Sequence, residues 1–313
     1  MLAIFEVTIP FFGLVLCGYL AARAKRLPEQ TVAALNGFVL YYALPAMIFR
    51  FASKAPFETI VNPPVFLAYG LAGLGVLAMT AFGLRWGNRD PWHETAFGAL
   101  SAAWANWGYM GFALIPALLG KGSIATILGA GLADVLVIVV AALVIASRHG
   151  RSETAWYATV GTALAGVGKN PMVMSIIVGL VFSGLQIPVP GPIDEFLRLL
   201  ATGAAPVALF AIGVSLYKPQ RITIHGDTFI IVATKLLLHP LLVWTIATHV
   251  FRLTGLQAAT MMLMAALPVA GSVFLLAERH GASAERSAAS IMVSTVLAFL
   301  SFSGFATLAL HVR

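Results

Sequence analysis

Apolar positions along this chain come in long unbroken runs, separated by short polar punctuation. Ten runs reach about 20 residues, the length a helix needs to cross a ~30 Å hydrocarbon core. They cover 4–22, 31–52, 64–86, 94–119, 122–147, 170–187, 193–217, 227–250, 256–278 and 284–311. Between them lie turn-forming clusters such as Lys25-Arg26-Leu27-Pro28, Asn62-Pro63-Pro64, Gly87-Asn88-Arg89-Asp90-Pro91, Lys121-Gly122 and Pro188-Val189-Pro190-Gly191-Pro192. The longest connector, 148–169, is moderately polar, and 153–167 within it reads as a short surface helix. The pattern predicts an all-α membrane protein of ten transmembrane helices, with the lipid bilayer as its solvent.

One run is poorly suited to a continuous membrane helix. Ser101 to Gly111 reads Ser-Ala-Ala-Trp-Ala-Asn-Trp-Gly-Tyr-Met-Gly. The Asn106 carboxamide carries donors and an acceptor that cost several kcal/mol each if left unpaired in hydrocarbon. Gly108 and Gly111 weaken the helix beside it. The stretch predicts a helix broken at mid-membrane, and such backbone survives only where it lines a cavity or is buried in protein. The alternative is a close-packing glycine face with one satisfied amide.

A single offset relates the two halves. Pro10 and Pro171, Gly18 and Gly179, Pro45 and Pro206, and Phe49 and Phe210 are each 161 residues apart. Five runs per half is an odd number, so the halves would insert with opposite orientation, as an inverted repeat. The expected division is a first repeat at 1–147, a connecting loop at 148–169 and a second repeat at 170–313. Adding 161 to Trp107 gives Pro268, in Ala-Ala-Leu-Pro-Val-Ala-Gly-Ser. The fourth and ninth runs are then both interrupted at matching depth, the pattern that marks the substrate site of many secondary transporters.

Composition agrees with the pattern: 60% of the 313 residues are hydrophobic and 10% are charged, against about 25% charged in a soluble domain. The net charge of +7 contains no basic run able to track phosphates, so nucleic acid is not an expected partner. Lysine and arginine divide unevenly between the two sides. Connectors 1–2, 3–4, 5–6, 7–8 and 9–10 carry Arg23, Lys25, Arg26, Arg85, Arg89, Arg148, Arg151, Lys169, Lys218, Arg221, Arg279 and Arg286. The opposite side carries Arg50, Lys54, Lys121, Arg198, Arg252 and Arg313. Twelve against six places the first set in the cytoplasm and both termini outside. The basic residues near the N-terminus follow the first apolar run, so that run is expected to be a retained helix, not a signal peptide. Cys17 stands alone and implies neither a disulfide nor a metal cluster.

Leu35-Asn36-Gly37-Phe38-Val39 with Ala43-Leu44-Pro45 and Phe49 resembles the second helix of the auxin efflux carrier family. Asn106 with Met110-Gly111, and Ala265-Ala266-Leu267-Pro268 with Phe274 and Ala277, resemble that family's two crossovers. The resemblance covers nearly the whole chain. It implies a fold like that of bile-acid symporters and sodium/proton antiporters, with broken, crossing helices 4 and 9. Helices 1, 2, 6 and 7 would form a scaffold, and helices 3–5 and 8–10 a mobile transport unit. It implies organic-anion transport, and plant members of the family form dimers, which here would use the scaffold helices. Ala113 stands where the family often has Pro, and 64–84 lacks the acid and lysine of plant helix 3. With its short 148–169 loop, the chain resembles the bacterial malonate- and malate-permease-like members.

The expected substrate-binding residues are Asn106, Gly108, Tyr109, Pro268, Ser272 and Lys235. Pro268 removes a donor and frees a carbonyl, and half-helix N-termini offer positive ends to an anion. Lys235 and His239 share a helix face. An intramembrane lysine faces protein or a cavity, so Lys235 would neutralise a carboxylate substrate or pair with Asp134, alone at the middle of the fifth run. Asp134 and His239 are the candidates for proton or ion coupling, the coupling ion being a proton or sodium; a purely structural role for either remains the alternative. No His-Glu-x-x-His, Gly-x-Ser-x-Gly or Walker loop occurs, and neither an enzyme activity nor a cofactor is expected. The expected function is secondary transport of a small carboxylate by an elevator or rocking movement, in a bacterial inner membrane. The alternatives are a sodium-coupled symporter of the bile-acid type and a membrane sensor built on a transporter fold.

Overall fold

The computed structural model describes residues 2–28, 30–87, 89–147, 156–217 and 224–311. Among them every regular element is a helix. In chain order these are α1 (Leu2–Arg23), α2 (Thr31–Lys54), α3 (Pro63–Gly87), α4 (Trp92–Ala103), α5 (Trp107–Leu119), α6 (Ser123–Ala146), α7 (Trp156–Val167), α8 (Pro171–Gly184), α9 (Gly191–Leu216), α10 (Gly226–Val250), α11 (Gly255–Ala265), α12 (Ser272–Arg279) and α13 (Ala284–His311). A single turn at Phe57–Ile60 precedes α3.

Seven of these are long and apolar enough to cross a membrane: α1, α2, α3, α6, α9, α10 and α13. The other three expected runs differ. Residues 94–119 divide into α4 and α5, 256–278 into α11 and α12, and 170–187 hold the 14-residue α8. The helix expected over 153–167 is α7; residues 148–155, with Arg148 and Arg151, lie outside the described residues, as do Lys218, Arg221 and Arg313.

The chain forms two compact units. The first comprises Met1–Asn62, Gly108–Leu128 and Gly168–Arg221. Within it α1 packs along α9, α8 along α2, and α9 also along α2. These contacts are backbone to backbone, made possible by glycine. A side chain at Gly18 would strike the Phe210 carbonyl and the Val214 amide. One at Gly179 would strike the Ala52 methyl and crowd the Phe49 carbonyl and the Ser53 amide. Each residue of the first set lies 161 positions from its counterpart in the second, with the partners exchanged. At one end of the unit Arg50 grips Asp194 through two bonds of 2.7 and 3.1 Å, and Lys54 adds a third at 2.7 Å. This places cations at the C-terminus of α2 and an anion in the first turn of α9, each opposite in sign to its helix end.

The second unit comprises Pro63–Trp107, Gly129–Val167 and Ile222–Arg313. Two short helices lie at its centre, buried on all sides: Thr95 to Ala103 of α4 and Ala258 to Ala265 of α11. The longer helices α3, α10 and α13 pack around them. Such all-round burial suits their Ala-rich sequences, because small side chains let several helices approach at once. Where α4, α10 and α13 begin, the Arg286 guanidinium holds Asp90 at 2.7 Å and Asp227 at 2.9 Å, with Glu94 at 4.0 Å.

Candidate functional site

Both central helices of the second unit end abruptly. α4 stops at Ala103 and helical structure resumes at Trp107; α11 stops at Ala265 and resumes at Ser272. The two extended gaps lie antiparallel and pair through Ala105 and Val269. The Asn106 amide donates to the Pro268 carbonyl at 3.0 Å, and the Ala270 amide donates to the Trp104 carbonyl at 3.1 Å. Each gap therefore satisfies backbone groups the other exposes, as unwound backbone away from water requires. The Val269 amide, which points out of the pair, donates to Ser294 Oγ of α13 at 3.1 Å. The paired residues Ala105 and Val269 are 164 apart, three more than the offset of the first helices.

Pro268 thus serves the break with its carbonyl, while its ring prevents α11 from continuing. Asn106 is 5% exposed. Ser272, half-buried, opens α12. Gly108 and Tyr109 belong to the other unit, within a π-helical turn at Trp107–Gly111. There Gly108 lies against the methyl end of Met172, and Tyr109 is half-buried.

Lys235, His239 and Asp134 are all fully buried in the second unit. Lys235 occupies a π-helical turn, Thr234–Leu238, just before Pro240. The proline cannot accept a regular turn ahead of it, so the widened turn follows from the sequence. The Lys235 ammonium donates to the Ala265 carbonyl at 2.7 Å and meets His239 Nδ1 at 3.1 Å. It therefore caps the last residue of α11, the negative end of that half-helix.

Asp134 opens a second π-helical turn, Asp134–Val139. Its carboxylate interacts with the Ala105 amide and the Trp107 indole, both donors at the other break, and with Lys235 through space. None of these approaches completes a hydrogen bond of regular geometry, and both carboxylate oxygens are sealed from solvent. Gly131, one turn earlier, leaves the space that the Trp107 ring occupies. The two charges thus flank the two breaks, and they do so without an ion-pair contact to each other.

Three contributors were not foreseen from the chain. Tyr69 of α3 is fully buried, with its ring 5.8 Å from that of His239. Ser294 holds the second break. Trp107 stands beside Asp134. The only signals were a lone phenol midway along an apolar run and the spacing of Ser287, Ser290 and Ser294 on one face of α13.

Comparison with known proteins gives a consistent picture. The model of a family described as "Membrane transport protein" matches residues 3–306. A Rhizobium meliloti protein named "Putative malonate transporter" is 30% identical over 97% of this chain and 95% of its own length. An Escherichia coli protein named "Uncharacterized transporter YfdV" is 27% identical, covering 93% of each chain. A Methanocaldococcus jannaschii protein, also named an uncharacterized transporter, is 22% identical over 94% of this chain and 95% of its own.

Proposed function

The chain belongs to the membrane transport protein family, and on that premise we propose that it is a secondary active transporter of a small organic anion. Malonate is the first candidate, since a relative carries that substrate in its name. The observation that carries this reading is the paired break at Ala105 and Val269, with the buried Asn106 beside it. Unwound backbone at the centre of a helical unit costs stability and is kept where it lines a binding site. Lys235 supplies positive potential there from behind, two of its three donors being engaged with Ala265 and His239. Asn106, Pro268 and Ser272 are the substrate-binding residues of the second unit; Gly108 and Tyr109, expected with them from the sequence, belong to the first unit.

The ten-span inverted repeat is part of the same reading. Its supports are the reciprocal contacts of Gly18 and Gly179 and the interruption of one run in each half. The first unit would be the scaffold, also serving a homodimer, and the second the transport unit, moving between the two faces of a bacterial inner membrane. Both termini would face outside. Ser152→Cys and Arg313→Cys on a Cys17→Ala background, labelled with an impermeant thiol reagent in intact cells, should react at 313 only.

The function is tested by uptake into proteoliposomes of labelled mono- and dicarboxylates, malonate included. Saturable uptake of at least one, blocked by excess unlabelled substrate, is expected. Uptake of none of the panel by folded protein would sink the reading.

A further inference from the structure

Among the buried polar atoms of the second unit that complete no regular hydrogen bond to the described residues are Tyr69 Oη, both Asp134 carboxylate oxygens and His239 Nε2. These four belong to one neighbourhood. α3 packs against both α6 and α10. Gly70, next to Tyr69, lies against Ala133, next to Asp134. The Tyr69 and His239 rings are 5.8 Å apart, and Tyr69 and Asp134 interact electrostatically. Buried polar groups are normally paired, so four such atoms in one place indicate a group that exchanges something.

The chemistry of the neighbourhood selects what is exchanged. A hard cation is held by a shell of oxygen ligands. Here the groups directed at Asp134 are donors: the Ala105 amide, the Trp107 indole and, through space, the Lys235 ammonium. With Lys235 donating to His239 Nδ1, the imidazole carries its proton on Nε2 and presents another donor. Donors surrounding one carboxylate leave no oxygen shell for a sodium ion. They do leave a carboxylate that can take up a proton, and a phenol and an imidazole able to pass one on.

The remaining ionisable groups on the surrounding helices stand apart. Arg85 ends α3, and His93 and Glu94 begin α4. Asp227, at the start of α10, is tied to Arg286 of α13, and His249 lies near the end of α10. Glu285 and His311 sit at the two ends of α13. Tyr157 of α7 is exposed, and α11 has no titratable side chain.

We infer that Tyr69, Asp134 and His239 form the proton-binding centre of this transporter, and that its coupling ion is a proton. In each cycle one proton from the aqueous phase forms an O–H bond on Asp134 and is released on the other side. Protonation cancels the Asp134 charge and leaves the Lys235 charge uncompensated behind the break. Anion binding at the break is thereby favoured, and by reciprocity a bound anion favours proton uptake. The inference rests on the transporter reading for its use, but proton binding can be measured without transport.

Infrared difference spectra of the purified wild-type protein across a pH titration should contain a carboxylic-acid carbonyl band. The band should be absent in Asp134→Asn and displaced in Tyr69→Phe. No titrating band in the wild type, or one that persists in Asp134→Asn, overturns the inference. In proteoliposomes at zero membrane potential, a one-unit pH gradient should drive about tenfold malonate accumulation for one proton per monoanion. Asp134→Asn should lose this response. Accumulation driven by sodium and indifferent to pH would also overturn it. If the wild type exchanges no malonate, the substrate reading fails and the infrared titration alone decides the proton centre.

Discussion

The Lys235 ammonium donates to the Ala265 carbonyl at 2.7 Å, 30 residues away in the chain, at the last residue of a buried half-helix. The charge is thereby committed to the architecture of the break. Lys235→Met should strand the Ala265 carbonyl and remove the counter-charge of Asp134, at a cost of about 3–5 kcal/mol. The double change with Asp134→Asn should recover part of that loss. Melting temperatures of wild type, both single variants and the double variant in one detergent check this; wild-type stability in Lys235→Met would refute it.

Asn106→Ala should leave the fold intact, because the backbone amide, not the side chain, holds Pro268. Losing a hydrogen bond to a charged ligand costs ~1.5–3 kcal/mol, so substrate affinity should fall roughly ten- to a hundredfold. Binding measured by calorimetry on well-folded Asn106→Ala decides the matter.

Ser294→Ala removes the acceptor of the Val269 amide. A buried donor left unsatisfied costs ~1–3 kcal/mol, and Ser294→Thr, which keeps the hydroxyl, should lose less. Hydrogen exchange at Val269, followed by mass spectrometry, should accelerate in the alanine variant and stay slow in the threonine variant.

Gly18→Ala should destabilise the first unit by roughly 1–3 kcal/mol, since the added carbon meets the Phe210 backbone, which cannot step aside as a side chain would. Gly13→Ala, on the same helix with nothing near its position, should be neutral or slightly stabilising. Equal melting temperatures for the two variants would contradict the packing described here.

Arg286→Met should leave Asp90 and Asp227 without their shared partner, again at about 3–5 kcal/mol. Loss of stability should lessen when Asp90→Asn and Asp227→Asn are added, because no unpaired carboxylate then remains. Thermal melts of the single and triple variants test it; the same deficit in both would point to packing instead of charge.

Residue order alone determined the class of this protein and the place where it is interrupted. Apolar runs of about 20 residues need no partner to be recognised, because the bilayer sets their length. Asn106 and Pro268 stood out for the same reason: each breaks a rule that hydrocarbon enforces locally. What tertiary structure decided is which groups those breaks use. The Ala105–Val269 pairing joins segments 164 residues apart, and the register of 161 read from the first helices misses it by three. In the sequence Lys235 has two candidate partners, Asp134 and a carboxylate substrate. In the fold Lys235 and Asp134 each face a different break, because the carbonyl of one half-helix and the amide beside the other compete for them. Tyr69 was silent for a similar reason. A lone tyrosine in an apolar run is indistinguishable from core packing until the helices opposite it are known, and here they bring His239 and Asp134.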